Sequence, residues 1–209
     1  MMLIVFEGID GSGKSSVLAA VKQRLADLGV ECEATSEFGR PEDWSVDARE
    51  NLMASRNAQE ELHYVMGTRV VHHERILGPL LALNHIVLMD RFLMSTMAYQ
   101  SSLTISEDFL LQRHIGLELP VPDITFLIDV ASETAKQRIA HRQDQSKIDQ
   151  RPVAFFDEAR GRYRRATQKL LSVGWDVQII NGEVPLAIIA ENVATRVMAK
   201  IKATAGVAA

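Results

Sequence analysis

Short, nearly uninterrupted apolar runs recur along the chain. They alternate with longer stretches in which apolar residues return every three or four positions. Leu3–Phe6 (LIVF), His85–Met89 (HIVLM), Ile124–Ile128 (ITFLI) and Val177–Ile180 (VQII) have strand length and β-branched content, and their continuous apolarity suits strands buried on both faces. Glu31–Ser36 is a weaker strand candidate. Helical periodicity marks Lys14–Leu28, Glu60–Leu83, Glu107–Leu117, Glu133–His141, Phe155–Leu171 and Pro185–Ile201. Strand–helix alternation of this kind predicts an α/β fold, a five-stranded parallel sheet with helices on both faces, and one domain spanning 1–209.

Local chemistry sharpens the boundaries. Gly29 follows the first helix, where a left-handed cap suits glycine. Ser106 can cap the helix that carries Glu107 and Asp108 in its first turn. Pro185 suits the first turn of the last helix, and the Ala-rich tail from Ala203 is expected to fray. In the longest helix, Leu62, Val65, Met66, Val70, His73, Ile76, Leu77 and Leu80 share one broad face. That places His73 toward the core and His72 outward, and Gly67 weakens the helix without ending it. Trp175 reads as a packing residue.

Composition narrows the class. The 209 residues carry 23 basic and 27 acidic side chains, a net charge of −4, which disfavours nonspecific nucleic-acid binding. Cys32 is the only cysteine, so neither an intrachain disulfide nor a cysteine zinc site forms. The apolar start MMLIVFEGID lacks the basic flank and cleavage site of a signal peptide and ends at Glu7, far short of a membrane span. A cytoplasmic protein with no membrane partner is expected. His72 and His73 lack the i,i+4 spacing of a chelating pair.

The most specific chemistry lies at Gly8–Ser15, GIDGSGKS, which matches G-x-x-x-x-G-K-[ST] and sits between an apolar strand and a helix. Glycines at 8, 11 and 13 let backbone N–H groups turn onto phosphate oxygens, and the following helix adds its positive end. Lys14 supplies a compact cation for the β- and γ-phosphates, and Ser15 a hydroxyl for Mg²⁺. The loop identifies a nucleoside triphosphate site without saying where the phosphoryl group goes.

Four features bear on that destination. Asp90-Arg91 ends a predicted strand, where parallel sheets place ligands, and Arg91 can neutralise a phosphoryl group in transfer. Ser95-Thr96-Met97-Ala98-Tyr99-Gln100 offers hydroxyls, an amide and an aromatic ring to a nucleoside. Arg69 interrupts the long apolar helix. Arg138, Arg142, Lys147 and Arg151 bracket a polar stretch, about 142–152, that suits a cationic lid able to exclude water.

The ordered set FEGIDGSGKS, Asp90-Arg91-Phe92 with STMAYQ, PDITFLIDV (Pro122–Val130) and the FF…RY run from Phe155 to Tyr163 resembles the thymidylate kinases, of the P-loop nucleoside monophosphate kinases, in a divergent bacterial or phage-like form. The resemblance implies a P-loop three-layer sandwich, a homodimer, and transfer of the ATP γ-phosphoryl group to a deoxynucleoside 5′-monophosphate, dTMP foremost. It also implies roles. Gly8, Asp10, Gly11, Ser12, Gly13, Lys14, Ser15 and Ser16, with Arg138, Arg142, Lys147 and Arg151, would bind ATP, and Ser15 and Asp90 would hold Mg²⁺. Lys14, Arg91 and Asp10 would be catalytic, with Asp10 near the sugar 3′-hydroxyl. Glu37, Arg40, Val65, Arg69, Ser95, Thr96, Tyr99 and Gln100 would line the acceptor site. There Arg69 bonds the base, with Thr96 nearby, and Tyr99 crowds the 2′ position.

Two positions depart from the family pattern: Val65 stands where a Phe usually stacks on thymine, and Ser36-Glu37-Phe38-Gly39-Arg40 replaces an Arg-Glu-Pro-Gly-Gly run. Ser12 replaces the loop arginine of one family branch, leaving compensation to the lid cations. Other readings are a kinase for another, including a modified, deoxynucleotide, and a non-catalytic ATP-binding switch.

Overall fold

A computed structural model describes residues 1–38, 43–141 and 149–207. Five parallel strands, β1 (Met2–Glu7), β2 (Glu33–Ser36), β3 (Ile86–Asp90), β4 (Ile124–Asp129) and β5 (Val177–Asn181), lie in the order β2-β3-β1-β4-β5. Every predicted strand is present, the weak one as β2. The helices are α1 (Lys14–Asp27), α2 (Asp43–Ala54), α3 (Ala58–His72), α4 (Gly78–Ala82), α5 (Leu93–Gln100), α6 (Glu107–Gly116), α7 (Ser132–Ala140), α8 (Val153–Ser172) and α9 (Leu186–Val207). Among the described residues no helix is long and apolar enough to cross a membrane.

The alternate side chains of the strands feed two separate cores, which makes three layers. Ile4, Phe6, Leu88, Phe126 and Ile180 meet Val17, Val21 and Leu25 of α1 and Val193 and Val197 of α9. Leu3, Val5, Val87, Met89 and Leu127 meet Leu81, Met97, Leu110, Ala135, Phe156 and Ala166 from the opposite helices. This is why the strands carry apolar residues at consecutive positions rather than alternate ones. The strand order has a direct consequence for chemistry. The chain leaves β1, passes through β2 and returns to β3 beside β1, so the carboxyl ends of β1 and β3 are neighbours: Phe6 pairs with Asp90, and the Arg91 N–H donates to Phe6 O at 2.9 Å.

Several local expectations are met by visible causes. Gly29, at φ 78°, closes α1, and the Ser106 hydroxyl accepts the Phe109 N–H at 3.1 Å at the head of α6. Others are corrected. The long helix predicted over Glu60–Leu83 is α3, one π-helical turn (His73–Leu77) and α4. Pro79 has no N–H and its ring conflicts with the carbonyl four residues back, so the helix widens before it. Gly78, lacking Cβ, fits where a methyl would lie 2.9 Å from His73 O.

The burial of the two histidines is the reverse of the expectation. His72 is buried, with Nε2 2.7 Å from Thr35 Oγ1, while His73 is only partly covered. The buried side of α3 runs through Val65, Met66, Thr68, Arg69 and His72. Leu62 and Val70, only partly buried, line a groove of about 600 Å³ with the edge of Met66 and with Ile105, Phe109 and Leu117. The helices α2 and α5 were not anticipated. Pro185 precedes α9 and accepts from Ile188 N–H and Ile189 N–H, outside the first turn. The tail stays helical to Val207, as the high helix propensity of alanine allows.

His114 of α6 is fully buried between the rings of Phe92 (5.1 Å) and Trp175 (5.6 Å), and its Nε2 donates to Pro120 O at 3.2 Å. Burial, reinforced by the Arg69 charge, lowers its pKa to about 4 from 6.5. The folded chain therefore binds fewer protons than the unfolded chain between these values. Its stability contribution is complete above about pH 6.5 and is lost as pH falls toward 4, a change of about 3 kcal/mol. Urea unfolding measured from pH 7 to 4 is expected to show this slope, and a His114→Phe variant a flatter one. Equal slopes would contradict the assignment.

Candidate active site

The loop after β1 curls because three glycines permit it. Gly8, Gly11 and Gly13 have φ of 149°, 83° and 87°. A Cβ on Gly11 would lie 2.4 Å from Ala135 O, and one on Gly8 2.7 Å from Ile128 O, so the loop is pressed against α7 and β4 with no room for a side chain. Lys14 opens α1 and is buried. Burial and the Arg91 charge push its ammonium below the usual range, opposed by Asp10, Asp90 and Glu7. Ser15 and Ser16 are exposed. The Ser15 hydroxyl donates to Asp90 Oδ2, and the other carboxylate oxygen of Asp90 is buried with no partner among the described residues.

Arg138 of α7 joins this loop to the end of β5, donating to Ser12 O at 3.1 Å and Gly182 O at 2.9 Å. Arg151 sits over the Phe155 ring at 5.6 Å. Its carbonyl and that of Asp149 receive Lys136 Nζ, a lysine the sequence reading did not single out. Arg142 and Lys147 lie outside the described residues, as does Arg40.

Arg91 faces the loop from the tip of β3, with a left-handed backbone (φ 69°) that directs its side chain across the sheet edge. Nη2 donates to Asp10 Oδ1 at 2.6 Å, and Nη1 reaches Gly8 O, Ser95 Oγ and Tyr163 OH at 3.3, 3.1 and 3.0 Å. The Tyr99 hydroxyl donates to Asp10 Oδ2 at 2.9 Å, and the Arg91 guanidinium lies over the Tyr99 ring. Burial would raise the Asp10 pKa, but Arg91 and Lys14 together hold its carboxyl well below the usual range. Phe155 stacks with Tyr99, 6.3 Å between centroids.

Deeper in the fold, Arg69 is one of the most buried side chains. It forms a bidentate pair with Glu37 at 2.5 and 3.1 Å, donates to Thr96 Oγ1 at 2.8 Å and Phe92 O at 3.2 Å, and stacks over the Phe92 ring. It is a committed interior group, not a surface arginine covering apolar neighbours. Val65 and Gln100 are also buried. Ser95 Oγ is engaged with Glu7 and Tyr163.

Glu7 and Tyr163 had no assigned role in the sequence reading. An acidic residue closing a fully apolar strand is the signal that marks Glu7. Asp129, held by Arg160 at 2.6 Å and Arg164 at 3.1 Å at the end of β4, is a further buttress of the same edge.

A glycine loop with a buried lysine, opposite an arginine and a carboxylate from neighbouring strand ends of a parallel sheet, defines a P-loop phosphotransferase. The particular family follows from comparison. The thymidylate kinase family profile matches residues 6–175. The chain is 32% identical over 173 residues to the thymidylate kinase of Idiomarina loihiensis, covering 79% of this chain and 83% of that one. The thymidylate kinase of Cupriavidus pinatubonensis is 34% identical over 175 residues, covering 79% and 84% of the two chains. That of Bordetella pertussis is 30% identical over 190 residues, covering 89% of each. This chain belongs to the thymidylate kinase family, enzymes that phosphorylate dTMP to dTDP with ATP.

Proposed function

We propose that this protein transfers the γ-phosphoryl group of ATP to the 5′-phosphate of dTMP. The observation that carries the reading is Arg91, set between the lysine loop and the Asp10–Tyr99 pair. The incoming phosphate oxygen is already anionic at neutral pH. It forms a bond to the γ-phosphorus as the bond to the ADP oxygen breaks, and no proton has to be removed. Catalysis then rests on alignment and charge neutralisation, with Lys14 on the donor phosphates and Arg91 between donor and acceptor. Asp10 and Tyr99 take the deoxyribose, and Arg69 with Thr96 takes the base. Val65, Glu37, Gln100 and Ser95 border that acceptor side. Arg138 borders the adenine, beside the glycine loop. The chain forms one P-loop kinase unit in this reading, and most of the segment expected to be its lid, about 142–152, lies outside the described residues.

The residues also suit Mg²⁺, a hard ion that takes oxygen ligands and keeps several waters. The Ser15 hydroxyl and the Asp90 carboxylate, with its unpartnered buried oxygen, are an all-oxygen donor pair at the loop. They would hold the ion, directly or through water, and bound Mg²⁺ neutralises charge on the β- and γ-phosphate oxygens.

A cytoplasmic homodimer completes the reading. The groove between α3 and α6, with exposed Phe109, Ile115 and Leu117 beside it, suits a second copy better than water. Val65 favours one further reading, a preference for a different or modified pyrimidine, because the family's stacking Phe is missing. A coupled assay of ADP release with dTMP, dUMP, dCMP, dGMP and dAMP separates these readings. The highest kcat/KM is expected with dTMP. ATP binding with no acceptor-stimulated ADP release would overturn the kinase reading.

A further inference from the structure

The wholly buried carboxylate of Glu7, at the end of β1, lies beneath the site, sealed from solvent and within electrostatic reach of the glycine loop's lysine. Its Oε1 accepts the Phe92 N–H at 2.7 Å and the Ser95 N–H at 3.1 Å, and its Oε2 accepts the Ser95 hydroxyl at 2.6 Å. The Tyr163 hydroxyl arrives from α8, 2.8 Å from Ser95 Oγ and 3.0 Å from Arg91 Nη1. One nitrogen of the Arg91 guanidinium thus meets oxygens from three separate elements: the loop after β1, α5 and α8. Its other terminal nitrogen bonds Asp10, at the open side of the site.

The protons of this cluster are constrained by its two ends. A guanidinium only donates and a carboxylate only accepts. The Tyr163 and Ser95 oxygens both accept from Arg91 Nη1, and their two hydroxyl protons are shared between each other and Glu7 Oε2, which lies 2.6 Å from Ser95 Oγ and 3.4 Å from Tyr163 OH. In either arrangement one hydroxyl proton ends on the Glu7 carboxylate, so Arg91, Tyr163, Ser95 and Glu7 behave as a unit. Burial raises the Glu7 carboxyl above its usual range, while the Ser95 hydroxyl bond and the Arg91 charge draw it back. Tyr163 also meets the Tyr99 ring edge-on at 6.1 Å, so one side chain braces both residues that face the acceptor.

We propose that Glu7, Ser95 and Tyr163 are positioning residues for Arg91, a buried hydrogen-bonded seat that fixes one face of its guanidinium so that the other is presented to the phosphate. The inference rests on Arg91 acting in the transfer. Glu7→Gln gives the sharpest consequence. The glutamine amide has the same shape and keeps an oxygen for Phe92 and Ser95 N–H, but turns an NH₂ toward the Ser95 hydroxyl. With Glu7 Oε2 replaced by a donor, the Ser95 and Tyr163 hydroxyls have only each other to donate to, so one of their two protons is left without an acceptor. An isosteric change thereby breaks the seat.

The test is steady-state kinetics of Tyr163→Phe and Glu7→Gln on the full chain, alone and combined with Arg91→Ala, beside thermal unfolding. Each single variant is expected to lose roughly 10-fold in kcat, less than the roughly hundredfold that a 1 Å misplacement can cost, with the KM for ATP changed less than about twofold. In the Arg91→Ala background the same changes are expected to cost less than twofold further, because there is no guanidinium left to hold. A merely structural role would give the same factor in both backgrounds and would overturn the proposal, as would single variants within twofold of wild type. If Tyr163→Phe does not fold, Ser95→Ala carries the same comparison. An unmodified protein without dTMP-stimulated ADP release would instead overturn the functional reading on which the inference rests.

Discussion

Arg91→Ala is expected to lower kcat at least about a hundredfold in a protein that remains folded. That magnitude is typical for loss of one preorganised donor to a developing charge. The side chain is partly open to solvent, so its deletion leaves no sealed cavity. What is removed is a fixed positive group between two phosphate-bearing nucleotides and the partner of Asp10. In the proposed reaction, electrostatic repulsion between donor and acceptor phosphates would then go uncompensated except by Lys14. Arg91→Lys is expected to recover only part of the loss, because a single ammonium cannot bond Asp10 through one nitrogen and the Tyr163–Ser95–Gly8 oxygens through another. Coupled ADP release measures turnover and circular dichroism checks folding. Near-normal turnover in a folded Arg91→Ala protein would refute the assignment.

Arg69→Met should be costly in a different way. Both members of the Arg69–Glu37 pair are almost fully buried. The guanidinium also satisfies Thr96 and the Phe92 carbonyl. Methionine would take away the bidentate partner of a buried carboxylate, and breaking a buried pair from one side costs about 3–5 kcal/mol. Urea denaturation should show that loss, with a rise of more than tenfold in the KM for dTMP and little change in the KM for ATP. The double variant Glu37→Gln, Arg69→Met removes the stranded charge and should recover part of the stability without recovering dTMP affinity. Stability within 1 kcal/mol of the unmodified protein would show that the pair is not the structural element described.

The two variants probe sites of unequal legibility. The glycine loop could be read from eight consecutive residues, because its function is a backbone shape and the glycines that permit that shape are adjacent. Arg69 was legible as an anomaly, a charge within an apolar helical stripe, but its surroundings were not. Periodicity located the stripe and left it equally suited to an intramolecular core or to a dimer face. The chain buried Arg69 and His72 alongside Val65 and Met66, and left Leu62 and Val70 only partly covered along a groove. Hydropathy alone misplaces such a helix, since a paired, fully bonded arginine can be interior while leucine remains at a surface. The missed α5 has the same origin: STMAYQ has no apolar stripe of its own, and its helix starts on the Glu7 carboxylate that accepts the Phe92 and Ser95 N–H groups.

The five strands, their parallel arrangement and the phosphate loop were legible in the sequence, since strand-length apolar runs, strand–helix alternation and glycine spacing are local patterns, whereas α2, α5 and the break before Pro79 were not. Tertiary structure decided which strand ends became neighbours. That choice joined Arg91 to Asp10, 81 positions away, Glu37 to Arg69 across 32, and Tyr163 to Glu7 across 156. No local pattern encodes these pairings. They arise because β3 inserts between β1 and β2, and because a charge buried there is stable only where the fold brings it an opposite charge or a hydrogen bond.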